Sequence, residues 1–459
     1  MGSTGGGAHK NHARITQGIS DIVAAIAPDH LPLAGKEPKM IASSRHSTGG
    51  REALGRTWRR PAVLFALAAV LAAGCSSNDA TASHQAPGSP TTSAPTAAAE
   101  MAAHGVEKPI GDVPWSQVGP GWMLATWSPA ESVPPGGSRP PGSPEPDTVP
   151  VTMYLVDPAG GRYAITTFPS NAQPHGVDWS GDGSHAVWAS EGPGKSTVIT
   201  ELDLHTGTRS TFTVDGSSVA PRFTRPDGKA LLLTVDKKLM RVDLAGNPQL
   251  TYPTDKLASA YDGQYLATPD GTQLVLGTAS GLALMGNDGT VGKELSSAAG
   301  SCSPVRWWDA GAKTVLANCG AANQHARLWL VPIDGSAPTA LTAPITDPAS
   351  HDTGDISAWQ LPAGTYVQYA GGCGAIHLGK LNPDGTVSKV SVPNVDPSHS
   401  IYVIGVHGGN LDLKATVAGC GPAQSLLEYD PAAGTTNVLL GPPLNGGAVI
   451  SAVPYPGEK

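Results

Sequence analysis

The chain has 459 residues, of which 57 glycines and 42 prolines make up about a fifth, and only 14% of its side chains are charged. That composition excludes an architecture of long helices and favours short strands joined by turns. A net charge of −8 supplies no concentrated basic face, so nucleic acid is excluded as the expected partner.

Residues 1–55 are rich in Gly, Ser, His and Lys, with one weak apolar patch from Ile15 to Ile26. They read as a disordered extension. Arg56, Arg59 and Arg60 then precede an apolar run from Pro61 to Ala73, followed by Gly74 and Cys75. A basic n-region, an apolar h-region and small residues in that order make an export signal over 56–75, and the run is too short to span a bilayer. Because such a signal ordinarily stands at the N-terminus, translation is expected to start downstream of Met1, at Met40 or at a non-Met codon. Leu71-Ala72-Ala73-Gly74-Cys75 resembles the bacterial lipobox, with its leucine one place early. The resemblance implies cleavage before Cys75 and a diacylglycerol anchor on its thiol; the alternative is an ordinary cleaved secretory signal. Residues 76–113 read as a flexible tether, because Ser76 to Glu100 are Ser, Thr, Ala and Pro with little to bury.

From Pro114 onward a pattern returns: an apolar strand, a tight Asp-Gly turn, a second strand, then two more. The clearest copies are Val177-Asp178-Trp179-Ser180-Gly181-Asp182-Gly183-Ser184, Pro221-Arg222-Phe223-Thr224-Arg225-Pro226-Asp227-Gly228 and Tyr265-Leu266-Ala267-Thr268-Pro269-Asp270-Gly271-Thr272. Asp-Gly between apolar runs marks a hairpin, since glycine accepts the positive φ of a tight turn. These copies resemble the TolB-like propeller repeat. Later copies keep the layout without the letters, so that first strands are expected near residues 177, 221, 264, 304, 356 and 402, a spacing of roughly one four-stranded blade. Blade one has three strands of its own, Trp122 to Trp127, Val151 to Val156 and Tyr163 to Phe168. The orphan strand Ala448 to Val453 is expected to complete it.

The expected fold over 114–459 is therefore an all-β propeller, most simply of seven four-stranded blades closed by the C-terminal strand. Six or eight blades, or a pair of β-sandwiches, are the competitors. The protein is expected to be a monomer.

Four of the five cysteines lie beyond residue 300. First strands start, and second strands end, on one face of a propeller. Cys302 and Cys319 should thus meet across a hairpin, and Cys373 and Cys420 across adjacent blades, giving two disulfides in an oxidising compartment. A zinc site using His325 and His377 is the alternative, but C-x-x-C spacing is missing.

Catalytic signatures such as H-E-x-x-H, G-x-S-x-G or a phosphate-cradling loop are missing as well. The loops entering the first strands should form the mouth of the central channel, and their polar residues His175, Tyr261, Asp262, His351, Asp352, Asp355 and His399 are the candidate binding set. His351, Asp352 and Asp355 form its densest cluster, able to hold a cation or to do acid-base work, or simply to keep a loop soluble. Trp179, Trp188, Trp307, Trp329 and Trp359 fall on strand positions and read as packing between blades. The insert Glu131 to Pro150, with seven prolines, reads as an extended loop. Neither a cofactor nor a metal is expected. The functional expectation is a lipid-anchored envelope protein whose propeller binds a protein, peptide or glycan; the alternative is an extracytoplasmic hydrolase or lyase working at the channel mouth.

Overall fold

The computed structural model of the chain describes residues 101–133, 137–217, 219–295, 300–320, 325–346, 352–416 and 423–456. Cys75, the export signal, residues 1–55 and the tether up to residue 100 lie outside the described residues, as do His351 and Cys420. Among the described residues, every regular element apart from short 3-10 turns is a β-strand.

Consecutive strands pair as antiparallel meanders of four. His175–Trp179, His185–Glu191, Ser196–Asp203 and Arg209–Asp215 form one group, and Val219–Phe223, Ala230–Val235, Lys238–Asp243 and Pro248–Thr251 the next. Further groups begin at Tyr261–Ala267, Ser301–Trp307, Gly354–Leu361 and Ser400–His407. Each expected first-strand position falls inside one of these strands. Met123–Ser128, Val151–Val156 and Arg162–Phe168 make the opening group, and Ala448–Pro454 pairs along Met123–Ser128 with Ala125 opposite Ala452. The last strand of the chain thus lies in its first sheet. Thr126 Oγ1 and Ser451 Oγ meet at 2.6 Å inside that pairing, so even its buried hydroxyls are satisfied.

Burial follows from place within each group. Second strands are covered on both faces and on both edges, and Ala230–Val235 (ALLLTV) and Gln273–Thr278 (QLVLGT) are accordingly near-continuous apolar runs. Fourth strands outside blade one have one free edge. Arg209–Asp215 alternates exposed and half-buried residues, and Val291–Leu295 is exposed until Leu295.

The core lies between sheets rather than within one. Trp122, Trp179, Trp188 and Tyr163 fill the seam between blades one and two. Val187, Ile199, Phe223 and Leu231 fill that between two and three, and Leu232, Tyr252, Leu274 and Met285 that between three and four. Similar clusters follow round the chain, until Met123, Tyr154, Leu426 and Leu440 join blade seven to blade one. Face-to-face stacking of neighbours around an axis is the β-propeller arrangement. Two stacked sandwiches would not produce a seam between every consecutive pair.

The described part of the expected tether, residues 101–113, departs from expectation by packing onto blade one. Glu107–Pro109 pairs in parallel with Arg162–Phe168, and Glu107 meets Arg162 at 3.1 Å. Ala102 is buried, its backbone N–H donating to the Tyr163 hydroxyl at 2.8 Å. Isolated apolar residues such as Ala102 and Val113 carry no periodicity, which is why the sequence conceals this added strand.

Candidate functional site

The hairpin ends of the blades show what the Asp-Gly repeat is for. Asp182, Asp227 and Asp270 accept from the backbone N–H of the residue two places on, Ser184, Lys229 and Thr272, at 3.0 to 3.2 Å. The hydroxyls of Ser180, Thr224 and Thr268 accept from the backbone N–H that restarts the next strand. Each side chain closes a turn, as Asx motifs do. Hydrogen bonds from the Thr268 and Thr272 hydroxyls and the Thr272 N–H hold the Asp270 carboxyl below the usual carboxylate range. These aspartates are turn chemistry.

At the opposite end, where first strands begin, the expected binding residues take separate places. Tyr261 is buried in the seam between blades three and four. Asp262 accepts from the Ser303 hydroxyl at 2.6 Å and the Gln264 N–H at 2.7 Å, joining blades four and five, and burial raises its pKa. His175 is half-buried opposite Ala189, and His399 sits in a turn whose backbone N–H donates to the Asp396 carbonyl. Among the described residues of the set, Asp352 and Asp355 share one place. The Asp352 carboxylate accepts from the Gly354 N–H at 2.9 Å. Asp355 is buried, and that burial, more than the charge of Asp352, pushes its carboxyl up to about 7. A hydrogen bond with Thr342 and the charge of Arg327 oppose the rise. His325, close by, has its Nδ1 3.1 Å from the Thr353 carbonyl.

Cys302 and Cys319 are register partners in one hairpin and form a disulfide, with their Cα atoms 4.1 Å apart. The expected Cys373–Cys420 pairing lies outside the described residues, because Cys420 does. Trp179 packs edge-on against Tyr455 at 5.2 Å and donates from Nε1 to the Gly183 carbonyl at 2.8 Å, and Trp188 packs on Phe168 at 5.3 Å. Arg139 folds the described part of the insert on itself, reaching Glu145 at 3.4 Å and the Glu131 carbonyl at 3.0 Å.

Inside the ring, first strands of blades two to seven and the last strand enclose an axial cavity of about 830 Å³. Its wall is apolar at Leu266, Val305, Ile356, Val403 and Val453, and charged at Arg222, Arg225, Lys237, Arg306, Asp178 and Asp236. Asp178 ties the wall together, accepting from the Phe223 N–H at 2.8 Å and meeting Arg225 at 3.4 Å and Arg222 at 3.7 Å. The turn Asp236-Lys237 stands at the end where first strands begin, and Tyr455, just past the last strand, at the other. None of these charged wall residues belongs to the expected binding set, because that set comes from loops rather than from the strands that bound the axis. A first-strand arginine is legible in sequence as a wall residue only once the inward-facing register is known.

A second buried group is also concealed in the sequence. His407 lies between Asp412 (Nδ1 to Oδ1, 3.0 Å) and Glu428 (Nε2 to Oε1, 2.9 Å), on opposite edges of its ring, so the two carboxylates do not converge on one point.

No family model matches the chain, and no curated protein matches it. Among solved structures it is similar to the β-propeller domain of the Trilobed protease from Pyrococcus furiosus, at 13% identity and a TM-score of 0.41 over 64% of this chain and 90% of that one. It is similar to TolB from Acinetobacter baumannii at 17% identity and a TM-score of 0.36, over 58% of this chain and 65% of that one. It is also similar to an oligogalacturonate lyase from Vibrio parahaemolyticus, at 14% identity and a TM-score of 0.46, over 70% of this chain and 86% of that one.

Proposed function

We propose that this chain is an exported lipoprotein, anchored through Cys75, whose propeller serves as a binding scaffold for a protein, peptide or glycan of the cell envelope. The observation that carries the binding reading is the axial cavity, walled by rigid strands in a fold whose sheets leave their loop ends free. The Cys302–Cys319 disulfide supports an oxidising compartment, and the order of basic, apolar and small residues before Cys75 supports the anchor. Labelling cells with an alkynyl fatty acid tests the anchor: label should appear on the wild type and vanish in Cys75→Ser, and label retained in that variant contradicts it. A photo-crosslinking residue at His399 tests the scaffold. It should capture a discrete adduct that the same residue at Lys229, at the opposite end, does not, and identical patterns at both ends contradict the reading.

The second reading is an extracytoplasmic hydrolase or lyase, favoured by the Asp352 and Asp355 pair, in which one carboxyl keeps its proton close to neutrality. Elemental analysis of the wild type and of Asp352→Ala and Asp355→Ala decides for it if a stoichiometric metal is present and is lost with either carboxylate.

A further inference from the structure

Four cationic side chains stand on the wall of the axial cavity, and two of them have an ion-pair partner. Arg222 and Arg225 turn to Asp178, at 3.7 and 3.4 Å, and Lys237 feels the charge of Asp262. Arg306 forms no ion pair among the described residues. Its guanidinium lies over the ring of Trp359, 5.5 Å from the centroid, on a wall that mixes apolar, polar and charged residues. A cation held in such surroundings without a counter-charge destabilises a fold unless something else offsets it. Burial has drawn the Arg306 pKa down to about 10, the direction expected of a charge short of water.

A guanidinium that contacts an indole and has no carboxylate partner among the described residues offers N–H donors in a fork that suits the two oxygens of an oxyanion. The same cavity is lined by apolar Leu266, Val305, Ile356, Val403 and Ile404. We propose that the axial cavity binds a small organic anion, whose carboxylate, sulfonate or phosphate head pairs with Arg306 and whose apolar body lies on those five side chains. The rim carries one charge of each sign. Asp236 and Lys237 form a two-residue turn between Val235 and Lys238 with φ of 48° and 60°, where Asn-Gly is the usual choice. The left-handed Lys237 sets its ammonium at the entrance beside the Asp236 carboxylate, at the expense of turn strain.

The proposal rests on the binding reading, but it concerns the channel interior and is read without any envelope partner, so its failure leaves the cross-linking test at the mouth intact. Titration of the exported protein with 8-anilinonaphthalene-1-sulfonate, followed by fluorescence and calorimetry, tests it, with neutral N-phenyl-1-naphthylamine as comparator. One site per chain is expected, weakened by added salt and by about tenfold in Arg306→Gln, the loss of one charge-assisted pair. Arg306→Lys should retain most of the affinity, and Lys237→Gln should weaken binding at low salt more than at high salt. The neutral comparator should bind wild type and Arg306→Gln alike. Unchanged sulfonate affinity in a folded Arg306→Gln protein overturns the proposal, and so does a neutral comparator that binds as tightly as the sulfonate. Should Arg306→Gln fail to fold, the Lys237→Gln salt profile decides in the same two directions.

Discussion

His407 is held by two carboxylates, and its chemistry dictates a pH signature. The hydrogen bond with Asp412, then that with Glu428, raises the imidazole from 6.5 to about 10 against the opposing effect of burial. A histidine whose folded pKa exceeds its unfolded value contributes stability that is fully present below the unfolded pKa and is lost as pH rises through the folded one. Denaturant midpoints should therefore fall between pH 7 and pH 10 in the wild type, and that slope should be largely absent from His407→Gln. Asp355 predicts a different window. Burial raises its carboxyl from 3.8 to about 7, so the folded state keeps a proton that the unfolded state has released, and stability declines from about pH 4 to pH 7. Asp355→Asn should flatten that decline and should be more stable than the wild type at pH 8, as equilibrium urea unfolding can measure. A larger loss of stability at pH 8 than at pH 4 in this variant contradicts the assignment.

The hairpin is the element from which the fold is built, and its glycines show why Asp-Gly returns. Gly271 has φ of +70°, and a Cβ built there would lie 1.7 Å from the Arg225 carbonyl oxygen of the neighbouring blade. Gly207 has a similar φ of +72° with nothing within 4 Å. Gly207→Ala should thus show backbone strain alone, about 1 kcal/mol, and Gly271→Ala about 3 kcal/mol or more, because neighbouring turns must also separate. Equal losses in the two variants would mean that the turns of blades three and four do not touch. This dual role explains what could be read from sequence. The turn needs a small residue after a hydrogen-bonding one, so Asp182-Gly183, Asp227-Gly228 and Asp270-Gly271 are plain in the letters. The arginines on the axis are not, because Arg222 and Arg306 fall in strands whose alternation gives a face without saying whether that face meets a neighbouring blade or the channel. Tyr261 misleads for the same reason: it opens its strand, where a loop residue at the mouth is expected, yet it packs into a seam. His407, Asp412 and Glu428 come from three successive strands, and only the cross-strand register, with Asp412 opposite Glu428 and His407 two residues beyond Gly405, the partner of Asp412, brings them together.

At the scale of the molecule, each sheet is covered by its two neighbours, so no blade has a core of its own. Such a chain gains stability only when the seams are complete, and the seam between blades seven and one depends on the last strand reaching the first sheet. The orphan strand near Ile450 signals this pairing in the sequence, while the added outer strand Glu107–Pro109 stays hidden because three residues carry no pattern. The pairing of Thr126 with Ser451, 325 residues apart, is accordingly the contact to test, by installing Thr126→Cys and Ser451→Cys together and mapping peptides without reduction. The arrangement described predicts a near-quantitative disulfide between the two substituted positions, absent when either substitution stands alone, with a gain of roughly 4 kcal/mol in unfolding free energy. Two free thiols in a folded protein would place the last strand elsewhere and contradict it.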